Sequence, residues 1–336
     1  MAPPLRTAVI GTGIFSRKRH LPAFEKQRDK FQIVACCNRS REKAEIFADE
    51  AKISHEHIHS GLDGLLKSEP EVEALDVILP PTDNLAATKA ALSSGKHIVL
   101  EKPIAHSIED AREIVRLAES SEKVVMIAEN FVHRKYVREM KAFIEDGHLG
   151  EVVTFIMTAV RPYNPESPYV KTAWRANPAH PGGFLSDAGV HDMGLLTAVL
   201  GQVTSASAAT RQQYEIHGAD DTLTATLRLA SGAVGSYIST VAATTGSFRM
   251  EIFGTKATLR LVEGLVTVED KQGKRELCFM APDEDDVEAE MVDFYAAVRE
   301  GKKLTCTPRD TFHHLAVIIA ALQSAESGRE EKVMEP

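Results

Sequence analysis

The stretch that most limits what this chain can fold into is Arg6-Thr7-Ala8-Val9-Ile10-Gly11-Thr12-Gly13-Ile14-Phe15-Ser16. Ala8-Val9-Ile10 is a short apolar run with β-branched residues, as a buried parallel strand requires. It enters a turn with glycines two apart. Gly11 permits the tight turn, and Gly13 lets the backbone approach a pyrophosphate seated on the N-terminus of the next helix. Ser16 replaces the third glycine of the dinucleotide fingerprint and is small enough to keep helix and strand close. A lone G-x-G-x-x-S is a weak signal. Here a strand precedes it, a helical segment (Arg17 to Lys26) follows, and a second strand runs from Phe31 to Cys36. The combination implies a dinucleotide site, with Gly11, Gly13, Ile14 and Phe15 as its turn contacts.

The end of the second strand indicates which dinucleotide. A site for NAD places a carboxylate there, about 20 residues past the glycine turn, to bond the ribose 2′-hydroxyl. Asn38 and Arg39 occupy that place, and no carboxylate appears from Asn38 to Arg41. A neutral amide and a guanidinium suit a 2′-phosphate, so NADP is expected, held by Asn38, Arg39, Ser40 and Lys43.

Strand and helix patterns alternate over the first 130 residues. Helix Ala44 to Ala51 is followed by a short strand and helix between Ile58 and Leu66, and by a buried strand from Ala74 to Leu79. Pro80-Pro81 ends that strand and leaves a loop where α/β sheets place ligands, putting Leu79, Pro80 and Asn84 beside the cofactor. Helix Leu85 to Ser94, strand Lys96 to Leu100, Glu101-Lys102-Pro103, helix Ile108 to Ser120 and strand Val124 to Ala128 complete a doubly wound parallel sheet. Asn130 stands at its cofactor edge. Beyond Gly147-His148-Leu149-Gly150 the strands lengthen: Val152 to Val160, Leu223 to Leu229, Val234 to Thr240, Arg249 to Phe253, Thr258 to Val262, Leu265 to Glu269 and Glu276 to Met280. These form a large open, mainly antiparallel sheet. Helices interrupt it at Asp192 to Leu200 and close the chain at Glu288 to Glu300 and Arg309 to Ser327. The division is a first domain over 1–130 and a second over 131–336, whose last helix packs back toward the first. The acidic stretch Asp283-Glu284-Asp285-Asp286 reads as a linker.

Composition narrows the alternatives. The 336 residues are 43% hydrophobic and 26% charged, with a net charge of −9, which argues against a nucleic-acid surface. The basic run Arg17-Lys18-Arg19-His20 reads as a solvated helix face. No apolar run reaches the roughly 18 residues of a membrane span, and no secretory h-region is visible. Cys36, Cys37, Cys278 and Cys306 lack C-x-x-C spacing, and His55, His57 and His59 alternate in what reads as a loop. A cytoplasmic, reduced, metal-free protein is expected.

Three further stretches carry a resemblance. Glu101-Lys102-Pro103 at a strand end, Trp174-Arg175, and Gly182-Gly183-Phe184-Leu185-Ser186-Asp187-Ala188-Gly189-Val190-His191 occur in the order and at the separations of the Gfo/Idh/MocA oxidoreductases. Cys37-Asn38-Arg39, Ala128-Glu129-Asn130 and Phe312-His313-His314 resemble the fungal NADP-dependent branch. The resemblance implies a Rossmann domain followed by an α/β domain with a large open sheet. It also implies a catalytic set of Lys102, Asp187 and His191, cofactor contacts from Glu101, Lys102, Pro103, Trp174 and Arg175, and self-association through the open sheet. The chain departs from the family at Pro181 and Gly194. It departs again in Pro80-Pro81-Thr82-Asp83-Asn84-Leu85, which lacks the histidine of T-P-N-x-x-H.

Hydride transfer between a carbinol and nicotinamide requires a proton to move on the substrate oxygen. His191 has the ring for it, and Asp187, four residues earlier, shares its face on a helix. Lys102 supplies a charge for a developing alkoxide. Arg161, Tyr163 and Tyr169 lie in a Pro-rich stretch that either borders the pocket or anchors an exposed loop. His313 and His314 read as packing residues. The leading expectation is an NADP-dependent oxidoreductase acting on a small sugar, polyol or carbonyl compound, assembled as a homo-oligomer, most simply a dimer. The apolar residues along Leu223 to Leu229 and Val234 to Ile238 would need that partner if they face outward. The second reading is a non-catalytic dinucleotide sensor like the galactose-regulon repressor of yeasts, which has no need to keep the lysine, aspartate and histidine together.

Overall fold

The computed structural model describes residues 3–168, 180–281 and 285–336. They form two compact units, 1–130 with 285–312, and 131–284 with 313–336.

In the first unit six parallel strands, β1 (Leu5–Ile10), β2 (Phe31–Cys37), β3 (Ile58–His59), β4 (Ala74–Val77), β5 (His97–Glu101) and β6 (Val125–Ala128), lie in the order β3-β2-β1-β4-β5-β6. Helices α1 (Leu21–Lys26), α2 (Arg41–Ala51), α3 (Leu62–Ser68), α4 (Asn84–Ser93) and α5 (Ile108–Glu119) connect them. All of β4 is buried, as a strand covered on both faces must be. The order of connection reverses between β1 and β4, and a doubly wound sheet opens its ligand crevice at that point. Gly11 ends β1 with φ +93°, and a Cβ there would stand 2.3 Å from the carbonyl oxygen of Ile78. Only glycine fits that position.

Two charged stretches have different roles from those expected. The basic run lies in a π-helical turn, Ser16–His20, leading into α1, and is a solvated face only at Arg17 and Lys18. His20 is buried, Arg17 pairs with Glu50 of α2, and Arg19 reaches both Asp285 and Asp286. The supposed linker supplies the cap of α8 (Asp286–Glu300): Asp285 Oδ1 accepts from the backbone of Val287 and Glu288 at 3.1 and 3.2 Å. Asp283 and Glu284 lie outside the described residues. The second-domain assignment of 131–336 also missed that α8 belongs to the first unit. Its Val287, Met291, Phe294 and Tyr295 share one core with Leu5, Phe24 and Phe31.

The second unit is built on nine strands: β7 (Val152–Pro162), β8 (Val203–Arg211), β9 (Thr222–Leu229), β10 (Val234–Ala243), β11 (Ser247–Gly254), β12 (Ala257–Val262), β13 (Leu265–Asp270), β14 (Gly273–Phe279) and β15 (Glu331–Lys332). Their order is β14-β13-β12-β11-β7-β10-β9-β8-β15, and only β7 and β10 pair in parallel. Helices α6 (Lys135–Glu145), α7 (Phe184–Leu200) and α9 (Pro308–Ser327) contribute Met140, Leu196 and Ile318 to the core on one side of the sheet, with Phe155, Leu227 and Ile252. The leucines of β9 alternate inward into this core, leaving Thr222, Thr224, Thr226 and Arg228 on the other face. The apolar residues expected to need a partner along β9 are therefore satisfied within the unit. The outward face carries isolated apolar side chains instead, such as Ile156 and Val262.

His97, at the start of β5, gives a pH test of the first unit. Its Nδ1 accepts from the backbone N–H of Val124 at 3.0 Å. Burial, reinforced by Lys123 and Arg299, lowers its pKa to about 4. The folded chain thus binds fewer protons than the unfolded one between about pH 6.5 and 4, so stability falls as pH drops through that window. Denaturant titrations from pH 7 to 4 should show this acid limb, and His97→Asn, which keeps an acceptor and removes the titration, should flatten it.

Candidate active site

The glycine turn in the first unit is shaped for an oxygen-rich ligand. Nothing lies within 4 Å of a Cβ built on Gly13, so the backbone there is open to close approach. Thr12 Oγ1 and Ser16 Oγ are buried without a hydrogen-bond partner, an arrangement that costs free energy unless a ligand group meets them. Ile14 and Phe15 are half-buried beside them. At the end of β2, Asn38 donates to the Ser40 carbonyl at 3.1 Å, and Ser40 Oγ caps α2 by accepting from the Lys43 N–H at 3.4 Å. Arg41 is engaged by Glu45. The exposed side chains of Arg39 and Lys43 make no hydrogen bond or ion pair among the described residues, so two cations stand unneutralised at the strand end. These features fit a phosphorylated dinucleotide.

Leu79 and Pro80 lie half-buried just beyond β4. Asn84, expected beside the cofactor, is fully buried at the start of α4 and donates to the carbonyls of Glu101, Pro103 and Ile104 at 3.0, 3.1 and 3.2 Å. Its amide nitrogen is taken up by the turn that carries Lys102, where the Lys102–Pro103 peptide is cis. Glu101 likewise turns its carboxylate to a protein partner, His20 Nε2, at 2.9 Å. Pro103 is buried, and Asn130, also buried, opens a short helical turn after β6. Lys102 itself is half-buried just beyond the C-terminal end of β5.

His20 was not singled out from the sequence. Its Nδ1 lies 3.0 Å from both oxygens of buried Asp76 on β4, while Nε2 faces Glu101. A ring with acceptors at both nitrogens is satisfied as imidazolium. Burial opposes that charge, and Asp76 and Glu101 together outweigh it, raising the pKa well above the ordinary histidine value.

In the second unit α7 brings Asp187 and His191 onto one face, a turn apart, with Asp187 buried and His191 half-buried. Gly182 and Gly183, with φ of +75° and +50°, start the helix. Ser186 Oγ is 2.8 Å from His180 Nδ1 and donates to the Gly183 carbonyl at 3.1 Å. Phe131 stacks on the His191 ring, with centroids 4.4 Å apart and planes 15° from parallel. The Arg134 guanidinium carbon lies 3.2 Å from the Phe131 centroid, and sterics put it on the opposite face from the imidazole. Asp192, next to His191, is wholly buried. It takes a bidentate pair from Arg161 at 3.0 and 2.6 Å and a hydrogen bond from the Tyr237 hydroxyl at 2.7 Å. Burial works against the Arg161 charge, but Asp192 overcomes it and holds the guanidinium pKa above normal. Asp192 thus ties α7 to β7 through Arg161 and to β10 through Tyr237. The sequence offered no sign of Phe131 or Asp192, because stacking and pairing partners at a distance in the chain leave no local pattern.

The remaining candidates divide. His313 Nε2 accepts from the Val203 N–H at 3.1 Å, and His314 Nε2 is 3.0 Å from Thr197 Oγ1, both in packing positions. Tyr163 packs edge-on against buried His217, which in turn bonds Asp221 at 2.9 Å. Tyr169, Trp174 and Arg175 lie outside the described residues. Among the described residues no three His, Cys, Asp or Glu side chains form a metal-holding group, and His57 and His59 converge on Glu69.

Residues 5–129 match the model of an oxidoreductase family's NAD-binding Rossmann fold, and residues 141–334 match the C-terminal alpha/beta domain of the same family. The chain is 38% identical to an uncharacterized protein of Saccharomyces cerevisiae, with 99% of each covered. A 1,5-anhydro-D-fructose reductase of Ensifer adhaerens is 24% identical, with 98% of each covered. The solved structure of an oxidoreductase from Thermotoga maritima superimposes with a TM-score of 0.89 at 33% identity, over 98% of both chains.

The stack on His191 makes its own prediction. Phe131→Leu keeps an apolar side chain and removes the flat partner, which should cost about 0.5–1.5 kcal/mol beyond area effects in a urea titration. An unchanged midpoint would show that the stacking contributes nothing.

Proposed function

This chain belongs to the Gfo/Idh/MocA oxidoreductase family, and we propose that within it the protein is an NADP-dependent dehydrogenase or reductase. The observation that carries the reading is the retained catalytic set: Asp187 and His191 one turn apart on α7, and Lys102 on the turn that ends β5. The bound nicotinamide supplies or accepts the hydride. His191 moves the proton on the substrate oxygen, Asp187 orients it or the substrate, and Lys102 hydrogen-bonds the same oxygen and favours its developing negative charge. The preference for NADP rests on Arg39 and Lys43, cations without a partner at a strand end that carries no carboxylate. A sugar, polyol or related carbonyl compound is the substrate class. Its support is the family and the anhydrosugar reductase that the chain resembles over its full length. We further infer a homo-oligomer through the outward face of the nine-stranded sheet, where Ile156 and Val262 are exposed.

Fluorescence titration with NADPH and NADH tests the cofactor: Arg39→Ala should weaken NADPH by about ten- to hundredfold, the worth of one charge-assisted bond, and leave NADH nearly unchanged. Equal parental affinities for the two would refute the preference. An NADP(H)-linked absorbance screen over aldoses, polyols, dicarbonyls and aromatic diols identifies the substrate. With it, His191→Ala should lower kcat by about 10²–10⁴-fold while NADPH still binds, and Lys102→Ala at least as much. Asp187→Asn should lose less if the carboxylate orients. Near-normal turnover in the first two variants would overturn the assignment, and binding with no turnover on any substrate would favour a sensor. A monomer mass in light scattering at micromolar concentration would refute the oligomer.

A further inference from the structure

The turn Glu101-Lys102-Pro103-Ile104 is held from two directions by residues of the first unit. From one side comes Asn84, fully buried as the first residue of α4 and fixed there by the preceding helical turn Pro81–Asp83. Its Nδ2 faces three carbonyl oxygens, those of Glu101, Pro103 and Ile104, at 3.0–3.2 Å. Three acceptors around one nitrogen settle which end of the amide points inward, because the oxygen would meet only repulsion. Two hydrogens serve three carbonyls, so one is shared. Asn84 Oδ1 is buried with no hydrogen-bond partner among the described residues, while the Nδ2 end is taken up by the turn. From the other side His20 takes the Glu101 carboxylate at 2.9 Å and ties it to Asp76.

The three carbonyls that Asn84 gathers belong to the residues on both sides of Lys102. We propose that Asn84 is a positioning residue for Lys102, gathering the backbone that flanks it so that the ammonium is presented to the reacting oxygen from a fixed origin. The proposal rests on the reading of Lys102 as part of the chemistry. Asn84 touches neither substrate nor cofactor in this role. A lysine side chain has four rotatable bonds, and a turn that wanders adds to that freedom. Misplacement by about 1 Å is enough to cost on the order of 10²-fold in rate.

Two measurements test it, one of them independent of turnover. Hydrogen exchange on the full-length protein without cofactor should show the amides of Lys102, Ile104 and Ala105 exchanging at least tenfold faster in Asn84→Ser, with β1, β4 and α2 unchanged. No local change would overturn the proposal. Asn84→Gln, which keeps the amide one methylene further out, serves as second variant should the serine substitution fail to fold, and predicts the same local signature at smaller size. The second measurement is a double-mutant cycle on the substrate identified by the NADP(H) screen. Asn84→Ser alone should lower kcat about 10–100-fold while the NADPH Kd moves less than twofold. In a Lys102→Ala background the same substitution should change kcat less than twofold. An equal loss in both backgrounds would show that Asn84 acts on the fold at large and would sink the proposal. Full turnover in Lys102→Ala alone would instead sink the reading of Lys102 on which it rests, and the hydrogen-exchange result separates the two failures.

Discussion

The first unit depends on one buried ion triad. His20 stands between Asp76 and Glu101, and through it the turn after β1, the middle of β4 and the end of β5 are one polar assembly in an apolar surrounding. Removing charge from water costs several kcal/mol per ion, and such a group persists only where geometry satisfies every partner. Here both imidazole nitrogens and both carboxylates are engaged. Glu290 of α8 senses the same concentration of negative charge: burial, reinforced by Glu101, pushes its carboxyl well above the ordinary range. The crevice between β1 and β4 is therefore framed by a polar brace, and the Lys102 turn grows out of that brace.

The second unit solves the matching problem differently. α7 carries small residues at Ala188, Gly189 and Gly194 and lies close to its neighbours there; a Cβ on Gly189 would come within 2.8 Å of Ile318. Asp192 supplies the registration, since its carboxylate locks to Arg161 of β7 and the Tyr237 hydroxyl of β10 at one point on the helix. With the helix clocked, Asp187 and His191 share the face that its period dictates, and Phe131 sets the plane of the ring.

Much of this was legible in the residues. The alternation of short apolar strands with helices spelled out a doubly wound sheet because parallel strands buried on both faces leave unbroken apolar runs such as Ala8-Val9-Ile10 and Ile98-Val99-Leu100. The four-residue spacing of Asp187 and His191 needed only the helical period. Other features were illegible for physical reasons. β8, Val203–Arg211, is dominated between its ends by Ser and Ala, and its two threonines alone do not mark a strand. The pairing of Arg19 with Asp285 and Asp286 spans most of the chain, so each run, read locally, looked like a solvated charge cluster. Asn84 was readable as a residue near the cofactor, but which way its amide points depends on the three carbonyls around it.

The first unit is discontinuous in sequence, and that has a consequence for how the chain comes into being. Its sheet is complete by residue 130, yet the apolar faces of Leu5, Phe24 and Phe31 wait for Met291, Phe294 and Tyr295, and Glu73 waits for Arg299. At about 5–20 residues per second of synthesis, the interval between residue 130 and residue 312 lasts roughly 10–35 seconds. During that time the apolar faces of the nascent sheet lack their α8 cover while residues 131–284 of the second unit are being made. The second unit is discontinuous too, since Val317, Ile318 and β15 arrive last, so both units close only as the C-terminal residues emerge, the first just before the second.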